Sequence, residues 1–264
     1  MFVRKEGVGS IARIIQHREL LMKQVIMEAP SLIQVISGSK IVRWATKERV
    51  AHSGEIIALE SGQALDVINV PDDNSKLYEA KLISLDADAV FKFSEQDATS
   101  KAISCLYQVT APSISFQDAF SRAFEAIADE RSIPASAASA RVQEVLAWLD
   151  KNGGYFRNNK IHTVERRVRF HISADIQSQW TAQHIASKLG FSEATLRRKL
   201  AEEGTSFNNT LIDVRMSRAY TLLQATDMPI TQIAFEIGYD SPSRFSARFR
   251  DRFGYSPSVV RAAS

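Results

Sequence analysis

The chain is 264 residues long, yet it carries one cysteine, five histidines, seven prolines and 11 glycines, and its net charge is only +3. A single thiol, Cys105, makes neither an internal disulfide nor a multi-thiolate zinc site, and its neighbours Leu106 and Tyr107 suit a buried, unreactive cysteine. The histidines, at 17, 52, 162, 171 and 184, never fall at two-residue or i, i+4 spacing or beside the cysteine. Neither a metal site nor a cofactor is expected. Gly-rich phosphate loops and the G-x-S-x-G elbow are also missing, which argues against an enzyme. Apolar runs such as 55–59 and 111–116 stop far short of the roughly 20 residues of a membrane span. The first nine residues lack the apolar stretch and cleavage position of a signal peptide, so a cytoplasmic protein without membrane contact is expected.

What is present is ordinary globular composition, 45% hydrophobic and 24% charged, in enough chain for about two domains. Charge is unevenly spread. From Ile161 onward there are 14 Lys+Arg against 10 Asp+Glu, net +4, whereas the first 160 residues hold 19 against 20, net −1. Twelve of those 14 cations are arginines, the side chain suited to bidentate contacts with phosphates and guanine edges. A solvated, arginine-biased surface would give the same count.

Up to about Asp86 the residues alternate in short runs of strand length: Leu20 to Met27, Ser31 to Ile36, Lys40 to Thr46, Glu55 to Glu60, Ala64 to Val70 and Leu77 to Leu85. Turn residues such as Ser37-Gly38-Ser39 and Pro71-Asp72-Asp73-Asn74 separate them, as in a small barrel or sandwich. Beyond that the period becomes helical. Phe116, Phe120, Phe124 and Ile127 form one apolar stripe, and Val142, Val145, Leu146 and Leu149 another. The second stripe, beside Trp148, could either self-associate or pack on the barrel. The expected organisation is an α+β chain with a β domain over 1–110, a helical dimerisation or linker segment over 111–160 and an all-α domain over 161–264.

Within that last part a repeat stands out. Ile185-Ala186 followed by Leu189-Gly190-Phe191 matches Ile233-Ala234 followed by Ile237-Gly238-Tyr239 at an offset of 48 residues. Each copy has a short helix, a glycine free to take positive φ, an aromatic plug and a serine-rich helix start, the pattern of a helix-turn-helix. Leu196 and Leu200 then correspond to Phe245 and Phe249 on the apolar face of each second helix. Arg197, Arg198, Ser243, Arg244 and Arg248 lie on the opposite faces, where major-groove reading needs polar side chains. Phe207, Leu211, Val214, Arg218 and Leu222 predict one helix joining the two copies. Two helical hairpins merely stabilising each other remain the alternative.

The second copy, Ile233-Ala234-Phe235-Glu236-Ile237-Gly238-Tyr239-Asp240-Ser241-Pro242-Ser243-Arg244-Phe245-Ser246 with Phe249-Arg250, Phe253-Gly254-Tyr255-Ser256-Pro257 and Arg261, resembles the signature of the AraC/XylS transcription regulators. The first copy agrees at Leu196, Arg198, Gly204, Ser206-Phe207, Arg215 and Ala219, and its stretch from Leu196 to Phe207 is most similar to the virulence and acid-stress regulators of that family. The resemblance spans about Val164 to Arg261.

It implies a cupin-like β domain followed by two helix-turn-helix units docked in successive major grooves of promoter DNA, about 34 Å apart, usually recruiting RNA polymerase. By position it makes Ala194, Arg197, Arg198, Pro242, Ser243, Arg244 and Ala247 candidates for base edges, and Lys199, Arg248 and Arg250 candidates for phosphates. Where members often carry an arginine on the second reading helix this chain has Ala247, with Arg248 about 100° further round. The β domain is expected to bind either a small-molecule effector or a partner protein, and a homodimer through the helical segment is one expectation. Relatives that clamp a fatty-acid carboxylate use two lysines; the matching positions here are Ser31 and Gln224. That leaves Lys23, Lys40 and Arg43 as candidate anion partners.

Overall fold

The computed structural model describes residues 1–94, 99–157 and 163–264. The chain divides into two compact units, residues 1–158 with 224–226 and 263–264, and residues 159–223 with 227–262. The expected boundary at residue 160, and His162, lie outside the described residues.

The first unit opens with β1 (Phe2–Lys5), β2 (Gly9–Gln16), β3 (Leu20–Ile26), β4 (Ser31–Ser37), β5 (Ser39–Trp44), β6 (Lys47–His52), β7 (Ile56–Leu59), β8 (Ala64–Val70) and β9 (Tyr78–Leu85). There follow α1 (Ala87–Ser94), β10 (Lys101–Ala102), β11 (Leu106–Val109), α2 (Ile114–Ala128), α3 (Ala135–Lys151) and β12 (Gly154–Tyr155). The long strands form two antiparallel sheets, β1-β2-β9-β4-β7-β11 and β3-β8-β5-β6. All six strands read from the alternation are present to within two residues at each end. Strands β1, β2, β6, β10, β11 and β12 and helix α1 are additional.

Register explains which face each residue serves. Leu32 stands opposite Ile83 and Ala58, and all three join the cluster that contains Phe116, Phe120, Phe124 and Ile127 of α2. Ile33 stands opposite Leu82 and Ile57 on the other face, the one shared with Tyr78 and Ala80. Because β4 and β7 are covered on both sides, their apolar residues run continuously where a half-exposed strand would alternate.

The stripe on α3 resolves the choice left open by the sequence. Val142, Val145, Leu146 and Leu149 are buried in that same cluster, and Trp148 stacks on Phe116 with ring centroids 6.4 Å apart. This face is spent inside the chain, so it is not the dimerisation surface that the helical segment was expected to offer, and α2 and α3 belong to the first unit. Lys5 adds a tie between sheet and helix: its buried ammonium donates to the carbonyls of Ala126, Asp129 and Ile133 at 2.7, 2.6 and 2.7 Å, satisfying acceptors at the end of α2.

The second unit holds α4 (Val164–Ala174), α5 (Ala182–Leu189), α6 (Glu193–Glu202), α7 (Phe207–Ala225) up to Leu223, α8 (Ile230–Glu236), α9 (Pro242–Phe253) and α10 (Pro257–Ala263) up to Ala262. Short polar side chains start these helices. Thr163, Thr181, Ser192 and Ser241 accept from the amides of Arg166, His184, Thr195 and Arg244, each closing a donor that its own helix cannot satisfy. The Glu203 carboxylate, just past α6, accepts from the first amides of α4, Val164 at 2.8 Å and Glu165 at 2.7 Å.

The two hairpins have different interiors. Ile185, Leu189, Leu196, Leu200 and Val214 make an aliphatic cluster around α5 and α6. Around α8 and α9 the packing is aromatic: Phe249 lies 5.7 Å from Phe245 and 4.6 Å from Phe253, and Tyr220 of α7 stacks on Phe249 at 6.1 Å. The expected joining helix is present as α7, and from Leu211 to Leu223 none of its residues is exposed.

Candidate functional site

Both hairpins turn on a glycine held at positive φ, Gly190 at +74° and Gly238 at +83°. Only Gly238 is also crowded. A side chain there would meet the Arg215 guanidinium at 2.4 Å and the Ile176 carbonyl at 2.9 Å. Arg215 is itself buried, donates to the Ser178 carbonyl at 2.9 Å and lies 5.6 Å from the Tyr239 ring centroid. This arginine is committed to holding the second turn, and burial lowers its pKa from the ordinary arginine value.

The turns present α6 and α9 with their apolar faces inward, Leu196 and Leu200 in one and Phe245, Phe249 and Phe253 in the other. The outward faces are therefore fixed by helical geometry. On α6, Ala194, Arg197 and Arg198 are exposed at i, i+3 and i+4, with Lys199 half-buried beside them, 5.6 Å from the Phe191 ring centroid. On α9, Ser243, Arg244, Ala247 and Arg248 are exposed and share one face, Pro242 is half-buried at the first helical turn, and Arg250 is exposed further round. The structure thus gathers the base-edge candidates of each copy on one accessible helix face.

Arginine count overstates this surface. Arg169, 6% exposed, pairs with Glu165 at 2.9 Å and Asp213 at 3.5 Å; Arg252 pairs with the same Asp213 at 2.8 Å; Arg261 donates to the Met228 carbonyl at 2.7 Å. Asp213 sits on α7, so one carboxylate ties α4, which packs on the first hairpin, to α9 of the second. The sequence contains no sign of this link, because the two arginines lie 44 and 39 residues away from the aspartate.

In the first unit the three candidate anion partners separate. Arg43 is exposed and paired with Glu48 at 2.5 Å, and Lys23 is exposed, so neither lies inside the β domain as expected. Alternation is the reason: Lys40 and Val42 point inward along β5, which turns Arg43 outward. Lys40 is 3% exposed. Its ammonium donates to Asn69 Oδ1 across the strand pair at 2.5 Å, Asn69 donates to Gln16 Oε1 at 2.9 Å, and Gln16 donates to the Arg18 carbonyl at 2.5 Å. The Tyr78 ring centroid lies 5.4 Å away. The Tyr78 hydroxyl is buried without a hydrogen-bond partner among the described residues. Gln224 donates to the same Gln16 oxygen at 3.1 Å, whereas Ser31 bonds the Ala29 carbonyl and the Ser84 hydroxyl.

Burial without a carboxylate partner pulls the Lys40 ammonium down to about 7. The described residues contain no group of three or more histidine, cysteine or acidic side chains placed to hold a metal ion, and no helix long and apolar enough to cross a membrane. Cys105 is buried, which pushes its thiol up from the ordinary value.

A Helix-turn-helix domain family matches residues 185–263. The transcriptional regulator SirC of Salmonella typhimurium is 38% identical over 116 residues, 43% of this chain and 39% of SirC. The regulator GadX of Escherichia coli is 39% identical over 98 residues, 37% of this chain and 36% of GadX. The chain therefore spans under two fifths of the length of these curated relatives. Across nearly its whole length, 98% of this chain and 97% of the other, the fold matches wild-type ToxT of Vibrio cholerae in a crystal structure with unsaturated fatty acid bound, at TM-score 0.67 and 12% identity.

The Lys40 environment sets a pH dependence. A buried lysine near 7 and an unfolded one at 10.5 mean that the unfolded chain binds more protons between these values, so stability rises with pH across that window and is level below it. Thermal unfolding of the full chain should show the melting temperature of the first unit climbing from about pH 7.5 to 9.5, and Lys40→Met should flatten the climb. An identical slope in the variant would place the proton elsewhere.

Proposed function

We propose that this chain is a transcription regulator of the AraC/XylS family that binds promoter DNA through its second unit and is controlled through its first. The observation that carries the reading is the pairing of two hairpins on one buried helix, each turning an arginine-bearing face to solvent. In this reading α6 and α9 enter successive major grooves about 34 Å apart on one face of the duplex. Ala194, Arg197, Pro242, Ser243, Arg244 and Ala247 face base edges and Lys199, Arg248 and Arg250 hold phosphates; Arg198, a base-edge candidate by position, shares the α6 face but is paired with Glu202. Recruitment of RNA polymerase is the accompanying proposal, which makes the protein an activator.

For the first unit we propose a small apolar carboxylate as effector, anchored by Lys40. Its ammonium lies 5.4 Å from the ring centroid of Tyr78, whose hydroxyl has no hydrogen-bond partner among the described residues, so a carboxylate there would find one cation and one unsatisfied donor within the β domain. The unsaturated fatty acid bound to ToxT belongs to this chemical class. Lys23 and Arg43 are too exposed for that role. Addition of an unsaturated long-chain fatty acid should shift both the melting temperature and the DNA affinity of the full chain, and Lys40→Met should abolish both shifts. A response that survives in the variant excludes Lys40 as the anchor, and a response to a co-purified protein alone favours a partner-protein module.

DNA binding itself is tested by separating the two kinds of arginine contact. Arg244→Ala should cost about 1–3 kcal/mol at particular base pairs and flatten preference there, while Arg250→Ala should weaken all duplexes alike and lower the salt slope by about 0.9. Competition binding of the full chain against single-base variants of a duplex selected from a random library distinguishes them. Salt-insensitive binding, or none, by a folded chain would sink the reading.

A further inference from the structure

The two arginines on the outward face of α6 are held differently. Glu193 Oε1 accepts from both Nε at 2.9 Å and Nη2 at 2.6 Å of Arg197. Those two nitrogens form the side edge of the guanidinium. The end edge, made by the outer hydrogens of Nη1 and Nη2, is left pointing away from the carboxylate. Arg198 is engaged at its other end: Nη1, one of the two nitrogens an end-on fork requires, donates to Glu202 Oε1 at 2.5 Å. Both arginine side chains are otherwise exposed, at 69% and 65%, so neither pair contributes much to folding stability. On α9 there is no equivalent among the described residues. Arg248 approaches Asp251 only to 3.9 Å, and no carboxylate pairs with Arg244.

We propose that Glu193 and Glu202 sort the two neighbouring arginines of the first reading helix. Glu193 is a positioning residue that presents Arg197 end-on to a guanine edge, and Glu202 masks Arg198, keeping it off bases and phosphates. Guanine offers N7 and O6 side by side, the acceptor pair that an end-on fork matches. A phosphate, in contrast, must compete with a carboxylate for Arg198 and is repelled by it. The first hairpin therefore gains sequence preference from Arg197 and gives up non-specific affinity through Glu202. This inference rests on the DNA-binding reading of α6 and goes beyond it by assigning roles to two acidic residues.

The test uses the full chain, a duplex selected from a random-sequence library by the wild type, its single-base variants, and the unselected library as the non-specific probe. Arg197→Ala first locates the base pair that Arg197 reads. Glu193→Gln, which keeps the shape but not the charge, should reduce guanine preference at that pair by about fivefold or more and change library binding by less than about twofold. Glu202→Gln should tighten library binding and steepen the dependence of log affinity on log salt by about 0.9, one additional phosphate. A merely structural pair would move neither the base preference nor the salt slope. Unaltered preference in Glu193→Gln, or an unaltered or shallower slope in Glu202→Gln, overturns the assignment. A wild-type chain that selects no duplex contradicts DNA binding itself, a separate and recognisable failure.

Discussion

One carboxylate holds the second unit in register. Asp213, on the buried helix α7, accepts from Arg169 of α4 through one oxygen and from Arg252 of α9 through the other. Arg169 is almost wholly removed from solvent, so an unpaired guanidinium there would carry a desolvation burden of several kcal/mol, and Asp213 together with Glu165 removes it. The consequence reaches beyond stability. Because the same residue serves both hairpins, neither can rotate about α7 without losing a charge-assisted hydrogen bond. Aromatic packing reinforces the restraint, since Tyr220 of α7 stacks on Phe249 of α9. A reader that must meet two grooves at once needs this kind of fixed spacing.

The 48-residue repeat was legible because everything that defines it is local. A glycine that must take positive φ, a serine that caps the next helix and an aliphatic or aromatic residue every three to four positions are all set by neighbours in the chain. Strands β3, β4, β5, β7, β8 and β9 were legible for the same reason. Strands β1, β2, β6, β10, β11 and β12 were not. Lys47-Glu48-Arg49 opens β6 with three charges because it is the exposed edge of its sheet, and β2 owes its length to eight consecutive pairings with β9. Those are long-range facts that no window of sequence contains.

The candidate sites divide along the same line. Helical periodicity alone places Ala194, Arg197, Arg198, Ser243, Arg244, Ala247 and Arg248 on outward faces, as the structure does. The function of a cation, however, depends on what lies opposite. Arg215 and Arg252 look like any other arginine in the basic C-terminal half, yet one props a turn and the other ties two hairpins together. Lys23, Lys40 and Arg43 were equivalent by composition, and only strand pairing shows that Lys40 faces Asn69 and Tyr78 inside the β domain. Likewise the stripe on α3 is apolar whether it meets a second copy or its own barrel; the register of β4 and β9 beneath it decides for the barrel.

The rigidity of the two-hairpin reader is the central claim, and half-site spacing measures it. With a duplex selected by the full chain, insertion of about five base pairs between the two half-sites moves one of them half a turn around the helix. A reader fixed through α7 and Asp213 should then bind no better than to unselected library DNA, and should recover little when a further five are inserted, since the proposed span of about 34 Å is set by one helix. Selected-level affinity that persists across those insertions would contradict a fixed joint and would mean that the hairpins read DNA as independent modules.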